Sequence, residues 1–389
     1  MTTLTDEEGP LRYRRMPIEE ESPEQLGYGR IRRNLAESSV VDASLGDLAA
    51  NLEGLVLQYG DHLGLPELRA TIAADATGAG GAPAAAADDV IVTPGAVAAL
   101  FIVHTALLEP GDHLVVARPN YATNVETPRA IGADVTYLDL AYEDRWAVDP
   151  ARIAALMTPR TRLVSLTTPH NPTGTTLDEA TVREVIGLVE ARGARLLLDE
   201  TYREMTFDGP LPVGAGLSES VISVSSLSKT YGLPGIRIGW LVTRDHALRD
   251  RFLAAKEQIL ISGSLVDETI ALEALRRRPA WLPGIRARIA EAFGTTAAWL
   301  DGHPRLEWVP PRGGVVGFPR IRPTVADTID VDAFYRVLFE EHGTIVGPGH
   351  WFEQPRTHFR LGYGWPALPE LREGLAAIDA ALETVTRRR

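Results

Sequence analysis

Lys229 is one of only two lysines in a chain with thirty-seven arginines, and it stands in V-S-S-L-S-K-T-Y-G-L-P-G-I-R, residues 224–237. A sequence that meets nearly every need for a cation with arginine keeps lysine where a deprotonatable amine is wanted, and lysine is the side chain that forms a Schiff base. Ser226 and Ser228 precede it, and Arg237 follows a Gly-Leu-Pro-Gly turn. Two hydroxyls and a guanidinium around one amine suit a phosphate monoester held beside an electrophilic carbon. The other lysine, Lys256, lies in the amphipathic stretch Arg251 to Ile259 and reads as a surface residue.

Three further candidates share the position of Lys229, just past a strand-like run. Val90 to Thr93 runs into P-G-A-V, where the free amides of Gly95, Ala96 and Val97 open a helix and can hold an anion. Leu163 to Thr167 leads to P-H-N-P-T-G, residues 169–174, whose Asn171 offers an amide to a phenolic oxygen or simply closes an Asx-Pro turn. Leu196 to Leu198 ends on Asp199, with Tyr202 three residues on. A carboxylate closing a buried strand needs a cationic partner, for which a protonated pyridine nitrogen would serve; a helix N-cap is the alternative.

The elements that must position these groups follow from the apolar pattern. Strands are predicted at the three runs above and at Leu114 to Ala117, Val135 to Leu138, Val221 to Val224 and Ile238 to Val242. Helices fall between them, for example Thr181 to Arg192, where Val182, Val185, Ile186 and Val189 share a face. Continuous apolar strands separated by helices give an α/β fold with a mostly parallel seven-stranded sheet covered on both faces, which binds ligands beyond its carboxyl edge. After about Ser262, arginine-rich helices run to about Leu300, and a final α+β portion closes on a helix bearing Leu368, Leu371, Leu375, Ile378 and Leu382. The division is an N-terminal arm, 1–50, completing the small domain; a large domain, 51–265; and a small domain, 266–389. Gly78 to Asp89 reads as an exposed connection.

Composition limits the partners. A formal net charge of -13 argues against nucleic acid, and the basic groups Arg30 to Arg33 and Arg387 to Arg389 read as solvated ends. There is no cysteine, so disulfides and thiolate chemistry are excluded. No secretory signal opens the chain, and the longest apolar run, Ala96 to Leu108, is too short for a bilayer and carries His104. A soluble cytoplasmic protein is expected.

Taken in order, the glycine turn, the aromatic of R-P-N-Y, H-N-P-T-G, D-x-x-Y, S-x-S-K, the arginine eight residues after the lysine and F-R-L-G-Y resemble the class I/II aminotransferases of the fold-type I pyridoxal phosphate enzymes. The resemblance spans residues from about 50 to 385. It implies that Lys229 forms the internal aldimine and then shuttles a proton at the substrate α-carbon, so that catalysis runs through an external aldimine and a quinonoid. It further implies that Asp199 keeps the pyridine nitrogen protonated, that Asn171 and Tyr202 bond the phenolic oxygen, and that Tyr121 stacks on the ring. Ser226, Ser228, Arg237 and the amides of Gly95, Ala96 and Val97 would hold the phosphate, and Arg360 would clamp the substrate α-carboxylate. Tyr59 would reach the phosphate of a neighbouring subunit, implying a homodimer. No metal is called for.

One stretch departs from the family. Members usually carry Gly-x-Pro in the N-terminal segment over the substrate; here it reads E-S-S-V-V-D-A-S-L-G-D-L. Glu37, Asp42 and Asp47 read as solvated acids, the alternative being that they face a cationic substrate group. The lysine segment and P-R-G-G-V are similar to family members that eliminate from and cyclise a hydroxylated arginine. An aminotransferase is therefore the first expectation, and a lyase, cyclase or decarboxylating enzyme of antibiotic biosynthesis the second.

Overall fold

The computed structural model describes residues 11–48, 50–76 and 84–387. The expected chain start, half of the Gly78 to Asp89 connection and the last two arginines lie outside the described residues; in the described half Ala85 and Asp89 are buried, not exposed as expected. The first strand, β1 (Arg33–Leu35), leaves the N-terminal arm and pairs in parallel with a strand more than three hundred residues away. Arg33 is thus no solvated end: it lies in that strand and pairs with Glu373 at 2.9 Å.

Seven strands then build one sheet: β2 (Val90–Pro94), β3 (His113–Arg118), β4 (Asp134–Asp139), β5 (Thr161–Thr167), β6 (Arg195–Asp199), β7 (Val221–Ser226) and β8 (Ile238–Val242). Their order across the sheet is β2-β8-β7-β6-β5-β3-β4, with β8 antiparallel to both neighbours and the other pairs parallel. The expected strands and the observed ones agree within one or two residues at each end. Sandwiched between helices, β2, β6 and β8 carry continuous apolar runs because both faces are buried, while β7 is buried too but broken by serines.

Helix starts follow local chemistry. Asp178 accepts from the Thr181 amide to open Glu179–Glu190, and Asp245 accepts from Leu248 to open His246–Ile259. The expected helices up to Leu300 are a single one, Leu265–Leu300, which runs through Pro279 and Pro283. Its first half packs in the core beside β2 and β8 and its second half in a different core, so tertiary burial at both ends overrides the prolines. That second core is built on β9 (Leu306–Glu307), β10 (Val316–Gly317), β11 (Arg320–Ile321), β12 (Thr344–Pro348), β13 (Phe359–Gly362) and the helix from Leu368. The four-stranded order β1-β12-β13-β10 pairs the arm with β12, one strand from β13, which carries Arg360.

Candidate active site

The carboxyl ends of β5, β6 and β7 and the helix start after β2 meet around a cavity of about 520 Å³. At one end Gly95 begins helix Gly95–Leu107 with φ +75°, and a Cβ there would run into the Arg237 guanidinium. Glycine is required by the backbone angle, and its missing Cβ lets that cation approach. Arg237 is itself left-handed, φ 49°, and donates to Pro234 O at 2.7 Å and weakly to Ser228 Oγ at 3.4 Å. Ser226, Ser228, Ala96 and Val97 line the same end. Helix amides, two hydroxyls and a guanidinium form an anion cradle.

In the middle stand Tyr121, Asn171, Asp199 and Tyr202. Asp199 Oδ1 accepts from the Thr201 amide at 3.0 Å and its hydroxyl at 2.7 Å. Burial raises the Asp199 carboxyl above the usual range, only partly offset by these bonds, and among the described residues no cation pairs with it. The site supplies a buried carboxylate and leaves its cation to a ligand. Tyr202 donates to Ser38 O at 2.9 Å, and burial raises its phenol as well.

Lys229 lies three residues past β7, where its amine faces the arm. Burial pushes the amine down, but Glu37, with Tyr202 and Tyr121, outweighs burial and holds it above its ordinary value. Glu37 Oε1 is 3.4 Å from Lys229 Nζ. The sequence reading of Glu37 as a solvated acid is corrected here: the arm folds over the cavity and carries Glu37 into it. Asp42 and Asp47 are exposed, as expected. The arm is stitched residue by residue to the site. Ala36 O accepts from Arg360 at 2.6 Å, Ser38 O from Tyr202, and the Val40 amide donates to Lys229 O at 3.0 Å.

Arg360 is buried. It also donates to Asn171 Oδ1 at 3.2 Å, lies 5.1 Å from the Phe352 ring centre, and its buried Nε has no partner among the described residues. Desolvation lowers its pKa, yet a guanidinium stays charged at any working pH, so this cation too awaits an anion.

Tyr59, expected to reach a neighbouring subunit, is 80% exposed and outside the cavity of its own chain. One expected placement differs. Lys256 is no surface lysine: it is fully buried, because its helix turns that side against the segment preceding β2. Sequence reasoning also missed Glu19 and Glu24, which line the cavity from the arm, and Thr201, which orients Asp199. The weak periodicity of the arm gave no sign that its first helices return to the site; only the resemblance put the segment from Glu37 over the substrate.

A family model described as "Aminotransferase class I and II" matches residues 33–378. The chain belongs to that family. Capreomycidine synthase of Streptomyces vinaceus is 32% identical over 98% of this chain and 97% of its own length. Arginine–pyruvate transaminase AruH of Pseudomonas aeruginosa is 34% identical over 75% of this chain and 74% of its own length. Among solved structures, the PLP-dependent cyclase OrfR superposes with a TM-score of 0.84 at 28% identity, covering 100% of both chains. As a family member the chain is a pyridoxal phosphate enzyme of fold-type I. Its cavity fits that cofactor on observations independent of the likeness: an anion cradle at Gly95 and Arg237, a cation-less buried carboxylate at Asp199, and an amine at Lys229.

Proposed function

We propose that the chain acts at the α-carbon of a free amino acid with a cationic, guanidine-type side chain, and that transfer of the amino group to a 2-oxo acid is the overall reaction. The observation that carries this reading is the pairing, in one cavity, of buried Arg360 with the arm acids Glu19, Glu24 and Glu37. A buried, partly unpartnered guanidinium suits an α-carboxylate, and three arm acids, outnumbering Arg15 on the same arm, suit a cationic substrate group. The likeness to an arginine–pyruvate transaminase supports the same substrate class.

Ser226, Ser228, Arg237 and the amides of Gly95, Ala96 and Val97 would hold the cofactor phosphate, with Asp199 at the pyridine nitrogen and Asn171 and Tyr202 at the phenolic oxygen. Tyr121 would lie against the ring. When bound, pyridoxal phosphate supplies a sink for the electron pair left as the α-proton departs. Lys229 is the base placed to take that proton and return it. Desolvation in the closed cavity strengthens each of these interactions.

A second reading is elimination followed by ring closure. It is supported by the likeness to capreomycidine synthase over 98% of this chain and to a PLP-dependent cyclase over 100% of it. Both readings take the protein to be a cytoplasmic homodimer, supported by exposed Val56, Leu57 and Tyr59 in one short segment.

Incubating holoenzyme with L-arginine, and separately with β-hydroxylated arginine, tests the proposal. Bleaching of the cofactor band by arginine, with regeneration by a 2-oxo acid, is the expected result. Turnover of the hydroxylated substrate with no 2-oxo acid requirement selects the second reading, and inertness toward every cationic amino acid overturns both.

A further inference from the structure

The second lysine is as confined as the first. Lys256 follows Phe252 by one turn on helix His246–Ile259, and both side chains are fully buried. Its Nζ donates to the carbonyl of His62 at 2.5 Å, and it forms no ion pair among the described residues. Burial draws the ammonium down to about 8, resisted by Glu268, Asp61 and Glu257 and reinforced by Arg69.

Two more charges act on the same turn, residues 60–65. Arg69, itself buried, donates from Nε to Gly64 O and from NH2 to Asp61, each at 3.0 Å. Glu268 accepts the Leu65 amide at 2.6 Å. Leu63 O accepts from Val92 of β2 at 2.8 Å, and Gly64, φ +116°, has no room for a Cβ beside the Val92 side chain. The turn is therefore held from every side by groups that seldom give way. The segment just before it is the reverse: Val56, Leu57 and Tyr59 are 67%, 76% and 80% exposed. A clamped base that carries exposed apolar side chains suits presentation to another molecule.

We propose that Lys256 is a positioning residue that fixes the turn 60–65 so that Tyr59 enters the active site of a second copy of the chain. The inference rests on the homodimer reading above. It also explains the choice of lysine in an arginine-rich chain: the site offers one carbonyl, which a compact ammonium satisfies and a five-donor fork does not.

The test is Lys256→Met, read by the dissociation constant for pyridoxal phosphate and by thermal stability. Removing a buried, unpaired charge leaves the melting temperature unchanged or higher. Cofactor binding weakens at least tenfold, a loss that a purely structural lysine would not give. The deciding measurement mixes Lys256→Met chains with Lys229→Ala chains carrying a second tag. In the mixed dimer the one intact Lys229 belongs to the Lys256→Met chain, and its Tyr59 comes from the partner, whose turn is normal. Borohydride labelling at Lys229 during cofactor titration then reports wild-type affinity. A mixed dimer as weak as the Lys256→Met homodimer overturns the proposal, since the defect would act within its own chain through Val92 and β2. Wild-type affinity in the Lys256→Met homodimer overturns it as well. Sedimentation of the wild-type holoenzyme as a monomer removes the homodimer reading and this proposal together, whereas a dimer without rescue removes only this one. Should Lys256→Met not accumulate folded, Lys256→Gln, too short to reach His62, goes through the same mixing with the same outcomes.

Discussion

Glu37 Oε1 lies 3.4 Å from Lys229 Nζ, so an acid from the N-terminal arm shares the cavity with the amine on which the chemistry centres. Burial pushes the Glu37 carboxyl up, but Lys229, the Ser38 amide and Arg360 together outweigh it and leave the acid ionised. The pair holds Lys229 charged while the amine is free, although reaction with an aldehyde needs it neutral. Glu37 must give up this partner when cofactor binds, and is then left facing the substrate.

Replacing Glu37 with Gln therefore has two separable outcomes. The Lys229 amine loses the charge that raises it, so the pH dependence of cofactor uptake by apoenzyme moves to lower pH. Affinity for a cationic substrate falls by about 1–3 kcal/mol, or roughly 5- to 150-fold in KM. Stopped-flow uptake at several pH values checks the first, and steady-state kinetics with arginine checks the second. An unshifted uptake profile would mean that the pair has no hold on the amine.

Arg360→Met removes the buried guanidinium between Ala36 O and Asn171 Oδ1. A bidentate charged contact is worth about 1.5–3 kcal/mol, so kcat/KM falls roughly 10- to 150-fold or more while the cofactor spectrum of the resting enzyme is kept. Kinetics with the free amino acid and with its amide make the comparison. The amide, lacking a carboxylate, loses little further activity from the substitution, and an equal loss for both substrates would rule out carboxylate recognition.

Asp199→Asn separates folding from chemistry. The native carboxylate is buried, bonded only through Oδ1 to Thr201, and raised by desolvation. An amide of the same shape relieves that desolvation, so the apoprotein melts no lower than wild type. Activity falls roughly 10²- to 10³-fold, because the charge that would hold the pyridine nitrogen protonated is gone. Apoprotein melting curves and holoenzyme turnover are the two measurements. A parallel loss in both would make Asp199 a structural cap.

The sheet was readable from sequence because its central strands are buried on both faces and carry apolar runs; β2, β6 and β8 were located within two residues. Lys229, Asn171 and Asp199 were readable for the same reason, each following one of those runs closely. Glu19 and Glu24 were not, and Glu37 was weighed only as the alternative to a solvated acid. They sit on an arm whose short helices Pro17–Glu20 and Pro23–Leu26 have too few turns to show a period, and whose place is fixed by Glu21 accepting from Trp351 at 2.7 Å, 330 residues away. Lys256 was misread because a helix polar on most of its surface hides one polar side chain turned inward. Local patterns report burial on average, and a single charge buried against a distant carbonyl leaves no trace in them.

Glu200, the residue after Asp199, gives the clearest pH signature. It is buried, and Oε1 accepts from the Gly214 amide at 3.0 Å. Desolvation raises its carboxyl to about 7, with Arg203 and Ser223 resisting. The folded chain therefore binds more protons than the unfolded chain between the ordinary value of 4.5 and about 7, so this group's contribution to stability is present at low pH and is lost as pH rises through that window. Glu200→Gln stays neutral throughout and keeps an acceptor for Gly214. Relative to wild type it gains on the order of 1–3 kcal/mol at pH 8 and little at pH 5. Urea unfolding of both proteins at the two pH values checks this. A variant that is weaker by the same amount at both would mean that Glu200 is ionised when folded, its charge held by Arg203 against burial.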